Sequence, residues 1–428
     1  MSHIPCIFNG DWCYEKLASR YLRERALLEW SPVQDDIAGF GGGRYPGRGS
    51  LRVYGYALCN FLEWCQLRGF ALADLDYTRH LVQGYQTEML TGLWSANKTS
   101  LKPKTVNLRV KEALHYVRWA VDRGARPAFR VATVIRKIKA DSAVNSHGHQ
   151  ALRIESRVGA VRPNPMQLSL PTDDAVRHWF QSVEIEKGPT KALMCELILK
   201  TGIRREEAVQ WRLDTLPEDR QAWKVRGDHV DVAIRYGTKG TKYKDASGED
   251  VGPERVIQLP LELALRLAHY REFVRPGQRA EFVREAADAT ERRRRMRAQP
   301  KRLFLSDSTG EPISAQSLYE AWTDVTRLPF KGWAPHAGRH YWACKTLLNA
   351  LVGSLRVHGM ERQVPLDWIA GSSQSIISLV IQPQLGHMSA ETTNTYLGWA
   401  QRAITITSLQ DEYAAALEDI LHKEAING

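Results

Sequence analysis

Between residues 50 and 140 apolar side chains return at three- and four-residue intervals. Leu51, Tyr54, Leu58, Phe61, Leu62 and Cys65 form one series, Leu81, Tyr85 and Leu90 a second, and Val106, Val110, Leu114, Val117 and Val121 a third. This spacing predicts amphipathic helices. Residues 129–138 read as a fourth helix, and Gly69, Gly92 and Gly124 stand where helices should stop. The segment is therefore expected to be a small all-helical domain, 50–140. Before it lies an extension, 1–49, ending in GFGGGRYPGRGS, whose glycines and Pro46 sustain neither helix nor strand. After it, 141–170 is polar and proline-bearing and suits a linker between domains. Two histidines there, His147 and His149, lack further ligands nearby and read as loop residues.

A second domain, 171–428, opens with Thr172-Asp173-Asp174 as helix caps, followed by helical patterns at 175–183 and 191–200. Residues 222–225, 230–236 and 255–259 alternate as strands, separated by turns at Gly237, Gly240, Gly248 and Gly252. Helical patterns resume at 261–274, 280–297, 314–328, 336–351, 390–397 and 403–422. The expected fold class is mainly α with a small antiparallel β-sheet: a helical N-terminal domain and a mixed α+β second domain.

Composition narrows the class of function. At 428 residues the chain exceeds one ordinary core, and its 13 Trp and 15 Tyr supply anchors for two. A net charge of +11 favours a polyanionic partner, because cations that neutralise phosphates release condensed counterions. The density is greatest at Lys104, Arg109, Lys111, Arg118, Arg123, Arg126, Arg130, Arg136, Lys137 and Lys139, where few carboxylates interleave, and this run is read as a DNA-facing surface. Six cysteines without a C-x-x-C pair argue against a zinc site or disulfide framework, and neither a secretory signal nor a membrane-length apolar run occurs. A soluble cytoplasmic protein is expected. No G-x-x-x-x-G-K-[ST] motif is present, so a nucleotide-binding loop is not expected.

Three short motifs bear chemistry. In Thr201-Gly202-Ile203-Arg204-Arg205-Glu206-Glu207, the glycine breaks one helix and presents Arg204 at the start of the next, with Glu207 placed to orient its fork. In Pro335-His336-Ala337-Gly338-Arg339-His340, His336 and Arg339 share a helix face. Leu385-Gly386-His387 is followed nine positions on by Tyr396, with Ser389 as a candidate helix cap between them.

Taken in order, T-G-[apolar]-R-x-x-E, a lysine on a hairpin, H-x-x-R, L-G-H and a tyrosine nine residues later resemble the tyrosine recombinase, or phage integrase, family. The resemblance covers residues 171 to the end, and the basic helical region looks like that family's core-binding domain. It implies a site-specific DNA recombinase, of a mobile-element integrase kind, that cuts and rejoins DNA through a 3′-phosphotyrosyl intermediate without a cofactor. Matched residue by residue, it makes Tyr396 the nucleophile, has Arg204 and Arg339 clamp the phosphate with a hydrogen bond from His387, and gives His336 a part in proton transfer near the tyrosine. The hairpin Tyr236-Gly237-Thr238-Lys239-Gly240-Thr241-Lys242 points to Lys239 as the acid for the leaving 5′-oxygen, with Lys242 and Lys244 as competitors. Glu207 and His340 are supporting residues. The implied partners are double-stranded DNA with an inverted-repeat core site, further copies of the chain forming a tetramer on that DNA through 403–422, and an accessory DNA-bending or directionality protein. The implied setting is the bacterial cytoplasm, at the nucleoid.

The chain departs from a compact family member at 243–253, 273–302 and 352–380, where extra residues separate the motifs, and in its extension 1–49. The run Glu291-Arg292-Arg293-Arg294-Arg295 lies in the second of these. Two other functions fit part of the pattern: DNA relaxation of the type IB topoisomerase kind, and DNA-binding regulation by a catalytically silent scaffold.

Overall fold

The computed structural model describes residues 3–32, 45–138, 152–162, 168, 170–240, 242–297, 300–358, 366–386, 396 and 398–399. The chain divides into two compact units, Met1–Pro165 and Met166–Gly428.

The first unit is built on α1 (Lys16–Ala26), α2 (Arg48–Arg68), a π-helical stretch (Tyr77–Gln86) running into α3 (Thr87–Thr91), and α4 (Pro103–Asp122). Its core gathers the stripes that the periodicity marked, Leu58, Phe61 and Cys65 against Leu81 and Tyr85 and against Val106, Val110 and Val117. The helix α1 lies within the segment read as an extension, yet its Tyr21 and Leu22 are fully buried in this same core. One buried charge network fastens it: Arg25 and the Tyr21 hydroxyl both donate to Glu112 of α4, and Arg25 lies over the Tyr54 ring. Buried charges persist only when partnered in this way.

One element differs from expectation. Residues 129–138 do not form a fourth helix; Thr133–Ile138 is a strand, β1, paired antiparallel with β2 (Leu152–Arg157), which arises from the stretch read as linker. The run Thr133-Val134-Ile135 is β-branched, and such side chains fit a pleated surface better than a helix turn. Thr133 faces Arg157 and Ile138 faces Leu152 in the ladder.

The second unit begins with α5 (Asp173–Lys187), α6 (Pro189–Thr201) and α7 (Arg205–Val209). Thr172 caps α5 by accepting from the Ala175 amide at 3.2 Å. A four-stranded antiparallel sheet follows, comprising β3 (Lys224–Arg226), β4 (His229–Tyr236), β5 (Tyr243–Lys244) and β6 (Asp250–Pro260), in the order β3-β4-β6-β5. Then come α8 (Leu261–His269), α9 (Arg275–Arg284), α10 (Ala289–Arg297), α11 (Ala315–Thr323), α12 (Pro335–His358), α13 (Leu366–Ile376) and α14 (Gln382–Leu385). The added residues 273–302 are thus largely α9 and α10, neither of which buries a side chain fully. Within the arginine run, Arg294 and Arg295 pair with Glu291 on the same helix.

Two cores hold this unit. In the larger, Trp179, Trp322 and Trp333 are all buried, with the Trp179 and Trp322 ring centroids 4.4 Å apart and the Trp179 indole donating to the Trp322 carbonyl at 3.0 Å. The first turn of α12 rests on them: a Cβ at Gly338 would stand 2.4 Å from the Trp322 ring, so only glycine lets the helix approach this closely. In the smaller core, Ala343, Leu347 and Leu351 of α12 face Ile377, Ile381 and Leu385, and Tyr396 is enclosed among them. The stripe on α12 continues toward the helix start at His340, one turn before Ala343 and Cys344.

Among the described residues no helix is long and apolar enough to cross a membrane, and no group of three or more His, Cys, Asp or Glu side chains is arranged to hold a metal ion.

Candidate active site

Three glycines in left-handed backbone bring the motifs of the second unit together. Gly202 ends α6 at φ +66°, and a Cβ there would meet Trp342 at 2.6 Å and Leu385 at 2.8 Å. The chain can therefore turn tightly beneath α12 and α14 and enter α7 at Arg204. Gly237 (φ +73°) lets the hairpin leave β4 against the start of α7, where a Cβ would stand 2.4 Å from the Glu206 carbonyl oxygen. Gly386 (φ +60°) ends α14.

These turns surround one group of cations. Arg204 donates through Nη1 to Glu207 Oε1 at 3.0 Å and through Nη2 to the Gly386 carbonyl at 3.1 Å. Arg339, almost wholly buried on the first turn of α12, donates through Nη1 to the Gly202 carbonyl at 2.5 Å and through Nη2 to the Leu385 carbonyl. Two arginines far apart in sequence thus grip adjoining carbonyls of a single turn. Burial, then the charge of Arg204, pushes the Arg339 guanidinium below the usual arginine range. An arriving anion would relieve that cost.

Glu207 is fully buried between two forks. Burial pushes its carboxyl upward, but bonds and charge from Arg255, followed by Arg204, outweigh this and hold it below the usual carboxylate range. It stays ionised and orients Arg204, accepting the Arg204 backbone amide as well, at 2.6 Å. Arg204, Arg255 and Arg339 against one carboxylate leave a local excess of positive charge.

Beside this cluster, the Tyr396 hydroxyl lies 2.9 Å from His340 Nδ1. Burial, then His336 and Arg339, hold the His340 pKa down to about 4, so the ring is neutral at physiological pH, and in the tautomer protonated at Nε2 its Nδ1 accepts the phenol hydrogen bond. Burial likewise raises Tyr396 well above the ordinary phenol range, partly offset by Arg339 and Arg204. His336 lies on the exposed side of α12, its ring centroid 4.3 Å from that of His340. The ring at the phenol is therefore His340, which the sequence marked only as support, with His336 behind it.

Lys239 is exposed and lines, with Arg204, Thr238, Arg255 and Gly386, a cleft of about 410 Å³. Of its competitors, Lys244 is paired with Asp250 at 2.7 Å, and neither it nor Lys242 lines this cleft. His387 lies outside the described residues, as does the helical pattern at 403–422.

Two residues with a part in this geometry escaped the motifs. Arg255 forms a bidentate pair with Glu207, at 2.6 and 2.7 Å, and Gln384 hooks α14 to Thr201 and Gln258. The signal for Arg255 was present: it shares a strand face with buried Ile257 and Leu259, where a charged residue needs a partner.

The basic residues of the first unit differ in role. Lys104, Lys111 and Arg118 are exposed on α4 at seven-residue intervals, which places them in one stripe. Arg109 is half-buried and donates to Asn60 at 3.0 Å; Arg123 pairs with Glu24, and Arg126 is buried against Phe129. These three are committed to the fold. Arg130 is exposed, Arg136 and Lys137 belong to β1, and Lys139 lies outside the described residues.

No family model matches this sequence, and no curated protein matches it. Among solved structures the chain is similar to the XerH site-specific recombinase bound to palindromic difH substrate, with 14% identity and a TM-score of 0.47 over 85% of this chain and 81% of that one. It is also similar to a lambda integrase dimer bound to a COC′ core site, with 13% identity and a TM-score of 0.44 over 88% and 94% of the two chains. For the Tn1549 transposon integrase in complex with circular intermediate DNA, the values are 13% and 0.43 over 89% and 94%.

Proposed function

We propose that this protein is a site-specific DNA recombinase of the tyrosine recombinase kind, acting on a mobile element through a covalent 3′-phosphotyrosyl intermediate. The observation behind this reading is the meeting of Arg204 and Arg339 on the Leu385–Gly386 turn, in a unit that also sets the Tyr396 hydroxyl against a neutral imidazole. The ordered motifs of the sequence supply the family.

The phenolic oxygen of Tyr396 attacks phosphorus while its proton passes to His340. The bond to the 5′-oxygen breaks, and that oxygen leaves as a hydroxyl with a proton from Lys239. Arg204 and Arg339 stabilise the charge that develops on the nonbridging oxygens, a type of contact whose loss costs about 10²–10³ in rate. Bond energy is kept in the phosphotyrosyl ester, so attack by another 5′-hydroxyl reverses the step and joins a new strand. Tyr396 is fully buried, so a phosphodiester reaches its hydroxyl only once it is uncovered. DNA with inverted repeats around the cleavage points, and four copies of the chain, complete the proposed reaction.

Labelled duplexes tiled across the DNA flanking the gene, each nicked near the scissile position, test this. The short piece that carries the freed 5′-hydroxyl, between the scissile phosphate and the nick, diffuses away after cleavage and strands the covalent complex. An SDS-resistant adduct that maps to Tyr396 and vanishes in Tyr396→Phe is expected. Tight DNA binding with no adduct on any tile would leave a silent regulator instead, and relaxation of any supercoiled plasmid regardless of sequence would favour the topoisomerase reading.

A further inference from the structure

Arg255 sits on β6 with its side chain only 12% exposed, and every nitrogen of its fork is used. Nη1 and Nη2 donate to the two oxygens of Glu207, and Nε donates to the Gln384 carbonyl at 3.1 Å. Its aliphatic stem fills the space beside Gly386, where a Cβ would stand 2.9 Å from Arg255 Cδ. The same two Glu207 oxygens accept from Arg204, one from the backbone amide and one from Nη1. The carboxylate is therefore shared by two arginines, of which only Arg204 also reaches the Gly386 carbonyl through its other terminal nitrogen.

This sharing has an electrostatic consequence. With Arg255 present, the negative charge of Glu207 is already matched, and the charge of Arg204 remains available to an incoming anion. Without it, the buried carboxylate would have Arg204 as its nearest cation, and the fork would be held as a counter-ion. We infer that Arg255 is a positioning and charge-balancing residue for the reaction proposed above: it neutralises Glu207 so that Arg204 is free to bind phosphate, and it fixes the Gln384–Gly386 turn at the same time. The inference rests on the phosphate-clamp reading of Arg204. Lysine cannot replace it, since a single ammonium cannot span both carboxylate oxygens and the Gln384 carbonyl in one plane.

The full-length protein and three variants, Arg255→Met, Arg255→Lys and Arg255→Met with Glu207→Gln, test this through two readouts. One is the single-turnover rate of adduct formation on the nicked duplexes; the other is binding of inorganic phosphate by calorimetry. Arg255→Met should slow adduct formation about 10²-fold, the cost of losing a preorganised cation, and should weaken phosphate binding. Arg255→Lys should fall nearer to Met than to wild type. The double variant removes the carboxylate charge while keeping an acceptor for the Arg204 amide, and should recover at least about tenfold of the lost rate, within the range of contact couplings. A merely structural role would not produce that recovery, because the second change removes a further native contact.

Wild-type behaviour in Arg255→Met overturns the inference. So does a double variant no better than the single one, including the case in which Arg255→Met alone fails to fold. Should wild type form no adduct, the recombinase reading fails by itself; the inference survives only if phosphate binding falls in Arg255→Met and returns in the double variant, and fails if it does not.

Discussion

His340 illustrates how a single contact changes the expected chemistry of a residue. Its depressed pKa of about 4, caused first by burial, keeps the ring neutral near pH 7, and in the tautomer that carries its proton on Nε2 the Nδ1 lone pair faces the phenol. Replacing it with Ala should slow adduct formation by about 10²–10⁴, the usual share of a positioned base, while DNA binding persists. The shift also makes a stability prediction. Between the unfolded value near 6.5 and the folded value near 4, the unfolded chain binds a proton that the folded chain refuses. Stability is then complete above about pH 6.5 and declines as pH falls toward 4. His115 in the first unit, lowered to about 3 by burial, contributes with the same sign, so the comparison must be between wild type and His340→Gln. The variant should lose less of its Tm between pH 6.5 and 4.5 than wild type does; equal slopes would mean that His340 is not buried in its neutral form. Residues within a contiguous motif, such as Arg204 and Arg339, were legible in the sequence. Arg255 was legible only as a charge on a buried strand face that needs a partner, and Gln384 not at all, because the partners themselves, Glu207 and Gln258, lie 48 and 126 positions away.

At the scale of elements, turns determine the site more than helices do. Gly202 was legible as a helix stop, and the structure adds the reason that no other residue fits: a left-handed φ beneath Trp342 and Leu385. Gly202→Ala should therefore cost about 1–3 kcal/mol in strain alone. More tellingly, it should displace Arg204 and Arg339 together, since the Gly202 carbonyl accepts from Arg339. Adduct formation should then fall by more than the loss of stability explains, as checked by running the assay well below the variant's Tm. If rate and stability fall in proportion, the turn is structural only. Most of the expected helices follow their apolar periodicity, as do the central strands β4 and β6. The pattern at 280–297, however, is divided between α9 and α10, that at 314–328 ends at Thr323, and α1, α13 and α14 lie where no helix was expected. The hairpin of β1 and β2 was missed for a physical reason. Val134, Ile135 and Ile138 stand at three- and four-residue spacing, as a helix face would, and the partner strand that decides otherwise carries only the short alternation Leu152-Arg153-Ile154-Glu155 within an otherwise polar stretch.

At the scale of the whole molecule, the net charge of +11 is not spread evenly in use. Several basic residues of the first unit are consumed internally: Arg25 by Glu112, Arg123 by Glu24, Arg109 by Asn60. These contacts leave the net charge unchanged but take particular cations away from any partner, and the exposed remainder is organised. Lys104, Lys111 and Arg118 are exposed on α4 two turns apart, a rise of roughly 10 Å per step. Cations in such a row can follow a phosphate backbone. If each neutralises one phosphate, substituting all three with Gln should lower the slope of log K against log salt by about 2.7, from about 0.9 for each contact on duplex DNA. The same triple substitution at Arg109, Arg123 and Arg126 should instead lower Tm, because those side chains hold the fold together. Fluorescence anisotropy over a range of salt, with thermal melts alongside, separates the two sets. An unchanged slope in the Lys104, Lys111 and Arg118 variant would remove this face of α4 from the proposed DNA interface, whatever the fate of the arginine cluster in the other unit.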